Sequence, residues 1–260
     1  MVLRARQWGP PEGEVIVCLH GVTQHGAVFA PLAHALAEHG RRVIAVDLRG
    51  HGASPAEPPW DAGTHVADLV HTLDALGVRR ATWIGHSFGG RLAATLAVAH
   101  PGLAERLVLL DPGLHVSPAR AARGAEMDGY DWSFETPEGA VNAILSSGSV
   151  TSVPREVVAA YVRDAVRPGP DGLHRFQYSR GAAAVAWSEM ARPAPAIAAV
   201  PTLLVRPETP LTDGSADDFR YRGELGRLLT FVIVPHGHNV LWESPAETRA
   251  AIEAFLEPPR

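Results

Sequence analysis

The chain has 260 residues, 46% of them hydrophobic, enough to bury one large core and still carry an insertion. Its formal net charge is −5 and all 23 basic residues are arginine, which leaves no basic footprint for nucleic acid. With no lysine, a Schiff base, a pyridoxal phosphate anchor and a phosphate-binding loop lysine are excluded as well.

The single cysteine, Cys18, lies in the apolar run Val15-Ile16-Val17-Cys18-Leu19, so it reads as a small core residue and no internal disulfide is possible. Residues 1–6 lack the apolar stretch of a secretory leader, and no apolar run is long enough for a bilayer. The expectation is a cytoplasmic protein with neither membrane nor nucleic acid as partner.

In chain order, residues 14–20 read as a buried strand and 27–39 as a helix ended by Gly40. Residues 42–47 make a second buried strand, followed by the loop Arg49-Gly50-His51-Gly52-Ala53-Ser54-Pro55. Residues 61–76 read as a helix stopped by Gly77. A short apolar strand at 81–84 and an alanine- and leucine-rich helix at 91–99 flank Gly85-His86-Ser87-Phe88-Gly89. A Gly-x-Ser-x-Gly between strand and helix is the sharp turn that presents a serine hydroxyl at the top of an open sheet. Its glycines are needed because strand and helix pass too close for a Cβ. The serine sits at a helix N-terminus, where free N–H groups and the helix dipole favour negative charge.

A strand at 106–110 ends at Asp111-Pro112-Gly113, and there the alternation stops. Residues 114–192 show short helical patterns broken by glycine and proline, and they hold Tyr130, Trp132, Phe134, Tyr161, Phe176, Tyr178 and Trp187. An insertion after a sheet strand, above the carboxyl edge, is where a cap would sit, and most of these aromatics read as that cap's own core. Alternation resumes with a strand at 200–206, a helix at 216–226 and a last strand at 229–234. The turn Pro235-His236-Gly237-His238-Asn239 and a helix at 245–256, with Ser244 as N-cap, close the chain. Unbroken apolar strands alternating with helices imply a mostly parallel sheet covered on both faces. The expected division is a core of residues 1–113 and 193–260 and a helical cap of residues 114–192.

The pieces Leu19-His20-Gly21-Val22, Asp47-Leu48-Arg49-Gly50-His51-Gly52-Ala53-Ser54, Gly85-His86-Ser87-Phe88-Gly89-Gly90 and Gly237-His238 follow one another as in the α/β-hydrolase family. From about residue 14 to 256 the chain resembles serine esterase-like members with a helical cap. The resemblance implies an α/β-hydrolase fold with the cap inserted after the strand that ends at Asp111.

Acyl transfer by serine needs a base, an acid that orients the base, and donors for the oxyanion. Ser87 is the nucleophile. The family's imidazole follows the last strand and a glycine, which implies His238 as base; His236 is the competitor two residues earlier. An adjacent side chain on the elbow points away from its neighbour's hydroxyl, which sets His86 aside. His20 reads as a structural hydrogen-bonder of the first loop, and His25 and His51 as pocket-lining or solvated. A His-x-His pair can also bind metal, but no further ligands follow, so neither metal nor cofactor is implied. Many relatives take the acid from the loop after the strand at 200–206, a few residues past a glycine. Here Pro207 replaces that glycine and Pro210 falls near the acid's slot, leaving Glu208 and Asp213 displaced. Others take it from the end of the preceding sheet strand, where Asp111 stands; Asp111 is favoured, with Asp213 and Glu208 as alternatives. The expected oxyanion donors are the backbone N–H groups of Val22 and Phe88. Asp47, Arg49 and Gly50–Gly52 resemble the family's loop-shaping pattern.

A serine at the elbow argues against the dehalogenases and epoxide hydrolases of the family, which carry aspartate there. The expected reaction is hydrolysis of a small or medium apolar ester through an acyl-enzyme. The alternatives are a carbon–carbon bond hydrolase acting on a diketone, or a ligand-binding protein on a hydrolase scaffold. Oligomeric state is not legible in the sequence.

Overall fold

A computed structural model of the protein describes residues 1–257 except 149, 151, 213 and 214. Seven strands form the main sheet in the order β1-β3-β2-β4-β5-β9-β10. They are β1 (Ala5–Trp8), β2 (Val15–Leu19), β3 (Arg42–Val46), β4 (Ala81–His86), β5 (Ala104–Leu110), β9 (Thr202–Pro207) and β10 (Leu229–Val234). Only β1 is antiparallel, pairing with β3; every other pair is parallel. The apolar runs expected as strands are these parallel ones, and they are apolar throughout because helices cover both faces.

Strand periodicity divides the core in two. Val17, Leu19, Ile44, Val46, Trp83, Leu107 and Leu109 face α2 (Ala62–Ala75) and α3 (Phe88–Ala99). Their neighbours Ile16, Cys18, Val43, Ala45, Ile84, Val108 and Leu110 face α1 (Ala30–Glu38) and α10 (Pro245–Leu256). Each fully buried large side chain contributes roughly 1.5–3 kcal/mol. Local signals set the helix ends: Asp61 Oδ1 accepts the Thr64 N–H (3.0 Å) to cap α2. Ser244 stands at the N-cap of α10, but its hydroxyl donates to the Pro235 carbonyl (2.6 Å) instead of capping, because the short helix α9 (Val240–Glu243) leads straight into α10.

After β2 the chain runs to β3 on one side, then crosses back to β4 on the other. That reversal opens a crevice at the carboxyl ends of β2 and β4, where open α/β sheets place their ligands.

Between β5 and β9 lie α4 (Pro118–Gly129), β6 (Ser133–Phe134), α5 (Pro137–Ser146), α6 (Arg155–Ala165), β7 (Val166–Pro168), β8 (His174–Phe176) and α7 (Arg180–Met190). The four helices accompany a three-stranded antiparallel sheet, β6-β8-β7, whose two- and three-residue strands are too short for any alternation to show in sequence. Residues of α4 and α7 join one half of the core and residues of α5 and α6 the other. Of the aromatics expected to form this segment's own core, Phe134 and Phe176 pair edge to face. Tyr161 and Tyr178 instead pack on residues of the sheet loops, while Tyr130 and Trp132 are exposed. The buried Arg91 of α3 holds both stems of the segment, donating to the Leu114 carbonyl at its start and to the Pro193 carbonyl (3.0 Å) at its end. The helix α8 (Ser215–Leu225) fills the space before β10. Among the described residues no helix is long and apolar enough to cross a membrane.

Candidate active site

The turn from β4 to α3 holds Ser87 at φ 54° and ψ −119°, a conformation rare for any residue with a side chain. Such a residue costs of order 1–3 kcal/mol, and the neighbouring glycines enforce it. A Cβ on Gly85 would lie 2.4 Å from the Gly89 carbonyl oxygen, and one on Gly89 would lie 2.1 Å from that of Leu19. Ser87 stands at the N-cap of α3, yet its side chain makes no capping bond, so the hydroxyl is left for chemistry. The residue is 4% exposed.

Asp111 follows β5 directly, in the left-handed region at φ 36° that aspartate tolerates. It is completely buried and receives three donors. His238 Nδ1 lies 2.6 Å from Oδ2, the Leu211 N–H donates to Oδ2 at 2.7 Å, and Arg206 Nη1 donates to Oδ1 at 2.9 Å. Burial pushes this carboxyl up. The hydrogen bond and charge of His238, the charge of Arg206 and the Leu211 N–H outweigh it and hold the group below the usual carboxylate range. An ionised acceptor commits the His238 proton to Nδ1 and leaves Nε2 free as a base. Among the described residues no hydrogen bond joins the Ser87 hydroxyl to His238; such contacts are commonly looser before substrate enters.

The other acids expected from sequence are not brought to this histidine. Glu208 is exposed and its backbone N–H pairs with the Val234 carbonyl (3.0 Å). Asp213 lies outside the described residues. His236 is exposed at φ 68°, and its carbonyl accepts the Thr209 N–H (2.9 Å).

The loop after β2 lies against the elbow: a Cβ on Gly21 would sit 3.3 Å from the Ser87 Cβ. The backbone N–H groups of Val22 and Phe88, the expected oxyanion donors, have no hydrogen-bond partner among the described residues. Gln24 braces this region. Its Oε1 accepts the Gly21 N–H (3.1 Å) and lies 3.1 Å from His86 Nδ1, and its Nε2 donates to Asn239 Oδ1 (3.4 Å). His86 Nε2 donates to the His238 carbonyl (3.0 Å), and the two rings are 4.7 Å apart. Burial, then the charge of His238, pushes His86 down to about 3, which keeps it neutral.

Sequence reasoning missed Gln24 and Arg206. An arginine ending a buried strand was the available sign that a buried carboxylate waits nearby. His25 and His51 are each 2% exposed, so neither is solvated. Asp47 accepts N–H groups from Gly26 (2.8 Å) and Ala53 (3.0 Å), and Arg49 makes a buried two-point pair with Asp68 (2.6 and 2.7 Å). Among the described residues no three His, Cys, Asp or Glu side chains are arranged to hold a metal ion.

Comparison with known proteins adds a second line. A family model for the alpha/beta hydrolase fold matches residues 14–164. Lipase LipV of Mycobacterium tuberculosis is 33% identical over 190 residues, 73% of this chain and 72% of that protein. The 2-(acetamidomethylene)succinate hydrolase of Mesorhizobium japonicum is 30% identical over 262 residues, 99% of this chain and 92% of that protein. Other curated relatives are longer, and the chain spans 32–38% of their length. The crystal structure of E-2-(acetamidomethylene)succinate hydrolase matches with a TM-score of 0.86 at 25% identity, covering 98% of this chain and 95% of that one.

Proposed function

The chain belongs to the α/β-hydrolase fold family, and from that premise we propose that it is a serine hydrolase cleaving a carboxylic ester or related acyl bond through an acyl-enzyme on Ser87. The observation that carries this is the His238–Asp111 pair at 2.6 Å, its imidazole 4.7 Å from the ring of His86, the residue before a strained serine that caps nothing.

His238 Nε2 takes the Ser87 proton as the hydroxyl attacks the carbonyl carbon. The oxygen of that carbonyl becomes negative and is received by the backbone N–H groups of Val22 and Phe88, at the positive end of α3. The tetrahedral adduct collapses, and the imidazolium returns its proton to the departing alcohol. Water, deprotonated by the same imidazole, releases the acid and frees Ser87. Asp111 stabilises the imidazolium while Arg206 and the Leu211 N–H keep Asp111 ionised.

Residues 114–192 form a cap over the site in this proposal, supported by their contacts with the loops that leave β2, β3 and β10. A small apolar acyl compound is the implied substrate, in line with a relative named as a lipase. A second candidate is 2-(acetamidomethylene)succinate, the compound in the name of the relative that matches nearly the whole chain. The test is fluorophosphonate labelling of the folded protein, followed by turnover of a 4-nitrophenyl ester series, of that succinate and of a diketone. Labelling at Ser87, lost in Ser87→Ala, is expected together with ester turnover; an unreactive Ser87 would overturn the proposal.

A further inference from the structure

The Val22 N–H, one of the two donors in the proposed mechanism, belongs to the Gly21–Val22 peptide. The carbonyl of that same peptide accepts a bond from His20 Nδ1 (2.8 Å). His20 has no choice of tautomer: its Nε2 accepts the Leu48 N–H (2.9 Å), so its proton is on Nδ1. In a trans peptide a carbonyl held on one side turns its N–H to the other, and a bonded carbonyl makes the N–H a better donor. The next carbonyl along, that of Val22, lies 2.5 Å from His51 Nε2, while His51 Nδ1 lies 3.1 Å from the Arg49 carbonyl. Burial lowers the proton affinity of His51, so the ring is neutral and carries one proton, which the shorter contact assigns to Nε2. The His20 and His51 rings are 5.0 Å apart. Two buried histidines therefore grip two successive carbonyls of the loop that carries the Val22 donor.

His51 also faces the inserted segment. The Tyr178 ring stacks on it at 6.4 Å and 23°. The backbone on either side of His51 is bonded to the backbone on either side of Tyr178, Gly52 N–H to the Gln177 carbonyl (2.7 Å) and Ser179 N–H to the Gly50 carbonyl (2.6 Å). Gly50 is at φ 83°, where a Cβ would lie 2.6 Å from that of Ala182 in α7, so the loop is pressed directly on the segment. The Tyr178 hydroxyl in turn donates to the Asp128 carbonyl of α4 (3.3 Å). The loop bearing His51 is thus bound to the inserted segment as closely as to the sheet.

We propose that His51 is a positioning residue through which the seating of residues 114–192 sets the Val22 N–H for the oxyanion. A shift of the segment drags Tyr178 and the 50–52 loop, moves the His51 proton off the Val22 carbonyl, and lets the donor peptide turn. The inference rests on the serine-hydrolase proposal above and adds a residue outside its mechanism.

The test uses the full chain with 4-nitrophenyl butyrate as substrate and butylboronic acid as a tetrahedral mimic. Removing an oxyanion donor outright costs about 10²–10³-fold in kcat, so displacing one in His51→Leu should cost about 10–100-fold. KM should stay within about threefold, and boronate affinity should fall in step with kcat/KM. His51→Gln, whose amide N–H reaches the same carbonyl, should recover most of the loss. Tyr178→Leu should lower kcat several-fold, and adding it to His51→Leu should cost nothing more, because both act through one element. Unchanged kcat in folded His51→Leu, or effects of the two substitutions that simply multiply, would overturn the inference. If His51→Leu does not fold, full kcat and unchanged boronate affinity in folded Tyr178→Leu overturn it equally. Absent Ser87 labelling in the wild-type protein would instead sink the hydrolase proposal, which keeps the two failures apart.

Discussion

Asp111→Asn probes the proposed chemistry most directly, because it changes charge and acceptor count while keeping shape. Asparagine tolerates the φ of 36° that this position requires, so the backbone turn survives. The carboxylate meets three donors: the Leu211 N–H and His238 Nδ1 at one oxygen, Arg206 at the other. An amide has one oxygen to offer. With that oxygen toward His238 and Leu211, its NH₂ opposes the buried Arg206 guanidinium, which then retains, among the described residues, Asp218 (2.9 Å) as its acidic partner. Turned the other way, it strands the Leu211 N–H and forces the His238 proton to Nε2, where the ring can no longer accept from Ser87.

Removing one partner of a buried pair costs about 3–5 kcal/mol, and Asp218 softens the loss toward the lower figure. For a chain of this size about 3 kcal/mol lowers Tm by roughly 6–12 °C. The buried Arg206 cation draws the amide oxygen to itself, so the second arrangement prevails and its wrong tautomer should lower kcat by about 10³–10⁴-fold, the scale known for such a change in a serine protease. Scanning calorimetry and 4-nitrophenyl butyrate turnover measure the two effects on one preparation. Turnover within about tenfold of wild type, in protein whose Tm has fallen as expected, would refute the role given to Asp111.

Relief of backbone strain at φ 54° should make Ser87→Gly more stable than wild type by about 1 kcal/mol, after the entropy glycine adds to the unfolded chain; a lowered Tm would contradict the strain. Burial above all lowers His25 and His65 to about 4 and His86 to about 3, so below pH 6.5 the unfolded chain binds protons that the folded chain refuses. Stability is therefore full above pH 6.5 and should fall by roughly 1.5–2 kcal/mol per histidine on going to pH 5; a flat Tm across that range would show these rings to be solvated. Arg91→Met strips the donors from both stems of residues 114–192 and should destabilise by about 2–4 kcal/mol. Limited proteolysis should then cut that segment before the sheet; equal cutting rates in variant and wild type would argue against Arg91 as its anchor.

What could be read from the sequence was what local chemistry decides. The strands β2, β3 and β10 announced themselves as unbroken apolar runs, and the elbow as glycines flanking one serine, because a few adjacent residues settle both. The strand β1 did not, since Ala-Arg-Gln-Trp is half-buried at an edge and gains its strand character only from pairing with β3. The strands β6, β7 and β8 have two or three residues, too few for a period-two alternation to repeat. Gln24 was invisible because the groups it meets come from the turn after β2, the end of β4 and the loop after β10. The acid stayed open for the same reason: whether Asp111, Glu208 or Asp213 meets His238 depends on how loops from different strands fold together.

Arg206 shows what that long-range assembly supplies. Burial pushes the Asp111 carboxyl up, toward the form that cannot commit the histidine to one tautomer. His238 and then Arg206 oppose this, and the burial of Arg206 is offset in turn by Asp111 and by Asp218 from α8 on its far side. Two carboxylates and one guanidinium in a row leave one surplus negative charge, and Asp111, one end of the row, is the group that meets His238. In the proposed reaction the imidazole becomes a cation at the moment the carbonyl oxygen becomes an anion. The row is one charge short of neutral before the proton moves and neutral after it, so the polarity that stabilises the imidazolium is in place before the substrate arrives. An arginine at the end of β9 and an aspartate on α8, neither touching Ser87, are thus as much a condition of the reactivity proposed for it as the strained turn that carries it.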